Sequence, residues 1–409
     1  MELAIEKWRR DIWNCSCCAE CRETVSSDKW VVGADFTGWN KVCPTYTVGR
    51  WEMYAARGRN TIAKYLVDGI LQYSKELAED VVYKCCGCKT CETICTPALG
   101  HGHLGLEPIY TVSIVKAMRE DCVNMNIGPP EKLKERDNNI LETNNPYGKS
   151  ATVRARWAKG LSLPEEGENL FFVGCVTSLD NPKSAIATAK ILQSAGLDIA
   201  YLGKKEMCCG QPLIWDGERK KSEEYVDKLI KRIDASGAKN IIFNCAGCYS
   251  TFKNDYPQLG LNTGYKINHI SQVLSKLIDE KKIKLNGELS KKVTYHDPCH
   301  LGRHSGEYEA PRKVIKAIPG VELVEMYRRK QTAWCCGSGS GGVMITNYPK
   351  MAQEIASIRI EEAKQAADTL VTSCPSCLRN LSLAAKKDKI NMEFYDLPVL
   401  VAETMGIEM

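Results

Sequence analysis

The sequence has no apolar run of the roughly 18 residues that a membrane-spanning helix needs. Its first ten residues, Met1-Glu-Leu-Ala-Ile-Glu-Lys-Trp-Arg-Arg10, contain no apolar signal region. Charge of one sign is scarce too. The 55 Lys and Arg against 50 Asp and Glu leave a net +5 over 409 residues, with no basic block, so there is no case for nucleic-acid binding. No flavin or nicotinamide site is evident, so the chain is not expected to take hydride itself. These absences predict a cytoplasmic protein, at most peripheral at the cytoplasmic face of a membrane. Its length suffices for two or three domains with cores of their own.

What is abundant is cysteine, with 21 in the chain. A cytosolic protein keeps its thiols reduced, which disfavours a disulfide framework. Metal ligation is the better expectation, and nearly all-thiolate sites select zinc, Cu(I) or iron–sulfur clusters.

The cysteines follow a code. Cys175, the pair Cys208-Cys209-Gly210 and then Cys245-Ala-Gly-Cys248 recur as Cys299, Trp334-Cys335-Cys336-Gly337 and Cys374-Pro-Ser-Cys377. The intervening stretches are 32 and 35 residues in the first copy and 35 and 37 in the second. Around these cysteines, apolar runs alternate with helical patterns. Strands are predicted at 169–174, 198–201, 240–244, 292–296, 321–324 and 368–372. Helices are predicted at 184–195, 218–233, 311–317 and 349–366. Such alternation implies parallel sheets covered by helices, with sites at the carboxyl ends of the strands.

Five thiolates exceed what one cubane or one zinc ion requires. Adjacent cysteines can bind neighbouring irons, and a spare thiolate can bridge two, so the code points to a non-cubane cluster that a substrate sulfur can approach. A vicinal disulfide, or ordinary cubanes with one idle cysteine per repeat, remain alternatives. The glycines Gly337, Gly339, Gly341 and Gly342 lack the strand that a dinucleotide fingerprint requires before it. Gly210, Gly337 and Gly339 are read instead as letting backbone N–H groups approach the cluster sulfides and the substrate. His296, His300 and His304 surround Cys299. Disulfide cleavage needs protons, and His300 is the candidate donor, against a plain hydrogen bond to a cluster sulfur. Arg303 either holds an anionic substrate or pairs with an acid.

Upstream lie Cys15-x2-Cys18-x2-Cys21 with Cys43-Pro44, and Cys85-x2-Cys88-x2-Cys91-x3-Cys95 with Thr96-Pro97. In two-cluster ferredoxins the remote cysteine serves the other cluster. Cys15, Cys18, Cys21 and Cys95 are therefore expected on one [4Fe–4S] centre, and Cys85, Cys88, Cys91 and Cys43 on the other. Zinc ribbons are the alternative, but zinc favours two pairs. The 21 residues between Cys21 and Cys43 depart from the compact ferredoxin form and are either a partner-binding loop or a surface excursion. Cys17 and Cys86 fall outside the register and are read as non-ligating, with a swap of Cys85 for Cys86 left open. Cys122 is read as a small buried apolar residue. A helix is expected from Trp51 to Glu79, burying Ile62, Tyr65, Leu66, Ile70 and Leu71, and another from Tyr110 to Asn124.

These motifs, with Tyr295-His-Asp-Pro-Cys-His-Leu-Gly-Arg303, resemble the D subunit of heterodisulfide reductase. The resemblance implies a ferredoxin-like module fused to a duplicated cysteine-rich domain. It implies that Cys175, Cys208, Cys209, Cys245 and Cys248 hold one non-cubane [4Fe–4S] cluster, and Cys299, Cys335, Cys336, Cys374 and Cys377 the other. It further implies reduction of a small disulfide, such as that of coenzyme M and coenzyme B, with electrons from a flavoprotein or a membrane cytochrome b. The same domains also occur in electron-transfer subunits that join a flavoprotein to a quinone or cytochrome. The expected architecture is α+β and α/β: a mainly helical ferredoxin-like domain over 1–140, a linker over 141–165, and cysteine-rich repeats over 166–288 and 289–409.

Overall fold

The computed structural model describes residues 2–23, 40–95 and 107–409. The inserted stretch after Cys21, over residues 26–39, and Thr96-Pro97 lie outside the described residues. Among those described, no helix is long and apolar enough to cross a membrane. The chain forms two compact units: residues 1–135 with Pro212–Arg219 and Tyr327–Arg359, and residues 136–211 with 220–326 and 360–409.

The second unit contains two four-stranded sheets, all parallel. Strands β1 (Asn169–Phe172), β2 (Ile199–Ala200), β3 (Asn240–Phe243) and β4 (Lys266–His269) order as β2-β1-β3-β4. Strands β5 (Lys291–His296), β6 (Val321–Leu323), β7 (Thr369–Thr372) and β8 (Glu393–Asp396) repeat that order as β6-β5-β7-β8. The central strands β1, β3 and β7 are almost wholly buried, the pattern of strands covered on both faces.

Helices cover the sheets. Those at Pro182–Ser194, Arg219–Ala235 and Glu309–Lys316 match the predicted positions within two residues, and Pro349–Ala366 matches fully. Proline stands in the first turn of the helices Pro182–Ser194, Pro375–Lys387 and Leu397–Thr404, where its missing N–H costs no bond. One apolar core runs through both repeats, with Phe171, Ile242 and Leu274 from the first and Val293, Val371 and Leu400 from the second. The helix Ile270–Asp279 packs on Glu309–Lys316, and Pro182–Ser194 on Leu397–Thr404, so each repeat covers apolar surface of the other.

The segment expected as a linker is folded. It contains the helix Ala151–Arg154 and a further helical turn at Ala155–Ala158, with Arg154 fully buried.

In the first unit, the helix expected over Trp51–Glu79 is shorter. It runs Ala56–Val67, and Gly69 at φ +70° turns the chain before a second short helical stretch, Lys75–Leu77 and Ala78–Val82. Of the apolar positions expected in its core, Leu66 is buried, whereas Tyr65, Ile70 and Leu71 are exposed. The spacing ran across a glycine that ends the helix. The helix Thr111–Asn124 forms as expected and buries Cys122 beside Ile114 and Met118. Arg119 on this helix is also buried. Its guanidinium donates to four backbone carbonyls: Val82 (3.3 Å), Tyr83 (3.4 Å), Cys85 (3.0 Å) and Trp215 (2.8 Å). It thereby fixes the approach to the second cysteine motif and the segment Pro212–Arg219 together.

Candidate iron–sulfur site

In the first unit the thiols line two cavities. Cys15, Cys18, Cys21, Cys91 and Cys95 line one, with Cys17 at its wall. Cys43, Cys85, Cys88 and Cys91 line the other, with Cys86. Local backbone aims several of them inward. The Arg57 amide donates to Cys21 Sγ (3.3 Å) and the Gly87 amide to Cys85 Sγ (3.4 Å). The hydroxyls of Thr45 and Thr90 contact Cys43 and Cys88 at 3.4 and 3.3 Å. Burial pushes the Cys21 thiol up to about 12, and burial likewise raises Cys43 and Cys91, helped by the charge of neighbouring thiols. Such thiols ionise together only beside a compensating cation. That requirement fits a metal cluster, and sulfur donors fit iron.

In the second unit the cysteines stand at the carboxyl ends of strands, as parallel sheets arrange their sites. Cys175 opens the helix Cys175–Asp180 just past β1. Cys245 precedes the helix Ala246–Ser250 past β3, and Cys374 precedes Pro375–Lys387 past β7. Gly174 has φ +78°, which a side chain would strain, and an added Cβ would press on Cys248 Sγ at 3.2 Å.

The thiols form a chain of hydrogen bonds, from Cys175 to Cys208, Cys209, Cys248, Cys245, Cys374 and Cys377. All seven are buried, and none of the described cysteines is joined by a disulfide. Hydrogen bonds from Cys208 and Cys248 lower Cys209 to about 6. Bonds from Cys248 and Cys374 hold Cys245 well below the usual thiol range, while Cys175, Cys248 and Cys374 are raised. The set thus favours partial thiolate charge in a place closed to water, again the donor chemistry of a soft metal centre.

His300 lies beside this chain. Its Nδ1 is 3.4 Å from Cys299 Sγ, and its ring stacks on His304 with centroids 4.4 Å apart. Burial opposes the imidazolium, but the charge of Cys299, its hydrogen bond and Asp255 outweigh it, so the pKa is raised. His296 ends β5 and is buried.

Cys335 and Cys336 belong to the first unit and are buried. Gly337 donates its N–H to Cys335 Sγ (3.4 Å), and Cys336 contacts the Ser338 hydroxyl (3.4 Å). Gly339, at φ +77°, is excluded from carrying a Cβ by the Met344 amide, 2.7 Å away. Gly210 has φ +74° and ends the first vicinal pair in the same way.

Sequence reasoning did not find two buried guanidinium groups near the cysteine loops. Arg154 donates to Glu206 (2.7 Å), the Asn144 carbonyl (2.8 Å) and the Met207 carbonyl (3.1 Å). Glu206 in turn accepts from the amides of Val173 (2.9 Å) and Gly174 (3.2 Å), just before Cys175. Arg312 bridges Asp297 (2.7 Å), two residues before Cys299, to Glu325 (2.6 Å). Single charged residues in helical or loop sequence give no sign of such burial.

Two parallel α/β repeats with thiols at their strand ends define an iron–sulfur oxidoreductase of the cysteine-rich-domain class. The family described as "Cysteine-rich domain" matches residues 169–253 and 293–382. The D subunit of the dihydromethanophenazine:CoB–CoM heterodisulfide reductase of Methanosarcina mazei is 34% identical over 403 residues, covering 96% of this chain and 94% of that protein. The chain belongs to the family of heterodisulfide reductase D subunits. It is also 30% identical to the EtfAB:quinone oxidoreductase of Syntrophomonas wolfei, over 76% of this chain and 44% of that longer protein. Likeness to the solved glutamate racemase RacE1 of Bacillus anthracis, at 12% identity over 59% of this chain and 81% of that one, is slight, with a TM-score of 0.28.

Proposed function

We propose that the chain is the catalytic subunit of a heterodisulfide reductase-like complex, cleaving a small disulfide to two thiols. The observation that carries the reading is the hydrogen bond between Cys245 of the first repeat and Cys374 of the second. It sets thiols of both five-cysteine sets side by side at strand ends. The balance is RSSR′ with two electrons and two protons giving RSH and R′SH.

Cys15, Cys18, Cys21 and Cys95 would hold one cubane [4Fe–4S] cluster, and Cys43, Cys85, Cys88 and Cys91 a second. The two repeats would hold non-cubane clusters through their five cysteines each: Cys175, Cys208, Cys209, Cys245 and Cys248, then Cys299, Cys335, Cys336, Cys374 and Cys377. The bound clusters would supply the chain's one-electron chemistry. His300, held by Cys299 and stacked on His304, is suited to delivering a proton to a departing thiolate. Gly210, Gly337 and Gly339 leave the backbone open to sulfide and substrate. The donor would be a flavoprotein or a membrane cytochrome b at the cytoplasmic face.

The test is anaerobic turnover of reduced viologen against a panel of small disulfides, including that of coenzyme M and coenzyme B. Turnover with one of them is expected, and Cys336→Ala should abolish it while the N-terminal centres stay reducible. Full iron and sulfide with no turnover on any disulfide would favour the other reading. That reading is an electron-transfer protein joining a flavoprotein to a quinone, supported by the likeness to EtfAB:quinone oxidoreductase.

A further inference from the structure

Cys86 is a buried cysteine of the first unit that the ferredoxin register leaves without a role and that, unlike Cys122, stands beside a cluster motif. Its neighbour Cys85 faces the turn, where the Gly87 amide donates to its sulfur at 3.4 Å. Cys86 instead directs its thiol to Cys335, within hydrogen-bonding reach. The backbone fastens the same junction. Ser340 donates both its amide (3.0 Å) and its hydroxyl (3.1 Å) to the Cys86 carbonyl. The hydroxyl is also 3.3 Å from the Gly87 carbonyl. Gly87 leaves no slack, because an added Cβ would lie 2.5 Å from Ser340 Oγ and 2.4 Å from the Trp215 ring. In the first motif the matching position is Ser16, and the extra cysteine there, Cys17, stands one residue later and is exposed.

We propose that Cys86 joins the second N-terminal cysteine motif to the vicinal pair of the second repeat, its S–H becoming the donor to Cys335 once that sulfur is a metal-bound thiolate, and carries the shortest bonded route for electrons between them. The inference rests on the cluster reading above and assigns the second repeat as the first to be reduced. One electron would leave the centre held by the N-terminal motif and one would arrive at the centre that Cys335 would help hold, with no bond made or broken. A hydrogen bond to a ligand sulfur stabilises the more negative, reduced state, so it raises the reduction potential of the centre it touches.

The experiment uses the full chain with its iron and sulfide, reduced by viologen. Iron and acid-labile sulfide are measured together with redox titrations and freeze-quench electron paramagnetic resonance of the signal that Cys336→Ala removes. Cys86→Ala should keep the iron content, move that signal to a more negative potential, and slow its appearance by roughly tenfold or more, the scale of outer-shell substitutions at metal sites. Cys86→Ser keeps a donor and should recover most of the potential shift. Ser340→Ala should slow the transfer without changing iron content. If Cys86→Ala lowers the iron by about one cluster, Cys86 is a ligand and the inference falls. An intact signal with unchanged potential and rate would overturn it as well. A wild-type chain with no signal that depends on Cys336 would overturn the cluster reading itself, a separate and recognisable failure.

Discussion

Asp396 shows how a single buried group can give the fold a pH dependence. It ends β8, precedes the helix Leu397–Thr404, and accepts from the Ser184 hydroxyl at 2.6 Å and from Asn181 at 3.3 Å. Burial lifts its pKa to about 7 from an ordinary 3.8, against the Ser184 hydrogen bond and with help from the charge of Cys374. The folded carboxyl therefore keeps a proton that the unfolded one releases. The contribution is whole below 3.8 and is lost as pH rises through about 7. At about 1.4 kcal/mol per pKa unit the loss amounts to a few kcal/mol. Urea unfolding at pH 6 and pH 8 should show the wild type weaker at the higher pH, and Asp396→Asn should remove most of that difference. Equal slopes for both proteins would assign the dependence elsewhere. At the matching place in the first repeat stands His269, which burial pushes down to about 4, so it caps its helix as a neutral ring. Both repeats thus bury a titratable group where the outer strand meets its helix, but His269 caps the helix whereas Asp396 bonds to Ser184 and Asn181.

Among the elements, those that sequence made legible were the ones with a buried face. Leu-Phe-Phe in β1 and Ile-Ile-Phe in β3 stand out because both faces of a central parallel strand are covered. The outer strands β4 and β8 were not predicted. Lys266-Ile-Asn-His269 and Glu393-Phe-Tyr-Asp396 are short, half exposed and poor in β-branched residues, and sequence pattern does not separate them from loop. The cysteine code was legible because its spacing is a chemical constraint. The buried guanidinium of Arg154 was not, since its burial depends on Glu206, 52 residues away. It ties the helix Ala151–Arg154 to the loops before Cys175 and Cys208, so it belongs to the site's scaffold. Arg154→Met should leave the Glu206 carboxylate buried without its cation and destabilise the chain by about 3–5 kcal/mol. Adding Glu206→Gln should restore a large part of that loss. Denaturant unfolding of both variants checks it, and a double variant as weak as the single one would mean that the arginine acts by packing.

At the scale of the whole molecule, the 21 cysteines make folding and metal loading one problem. Without a cation, clustered thiols stay buried by keeping their protons or by accepting a neighbouring thiol's, as Cys209 and Cys245 do. Burial raises the Cys21 thiol to about 12 from 9.0. Its stabilising contribution is therefore complete below pH 9 and drains away as pH rises toward 12. Bound metal reverses this. It takes the place of the protons, so thiolate charge is compensated within the site and binding energy becomes folding energy. Loaded protein should carry on the order of 16 irons in four clusters of four. Chelating them anaerobically should lower the Tm at pH 7 and lower it further at pH 9.5, while the loaded chain changes much less between the two. Thermal melts of both forms at both pH values, with iron counted in each, give the comparison. Equal pH dependence in the two forms would show that the thiols sit in a core stable without metal, and the cysteine code would then have to be explained by something other than ligation.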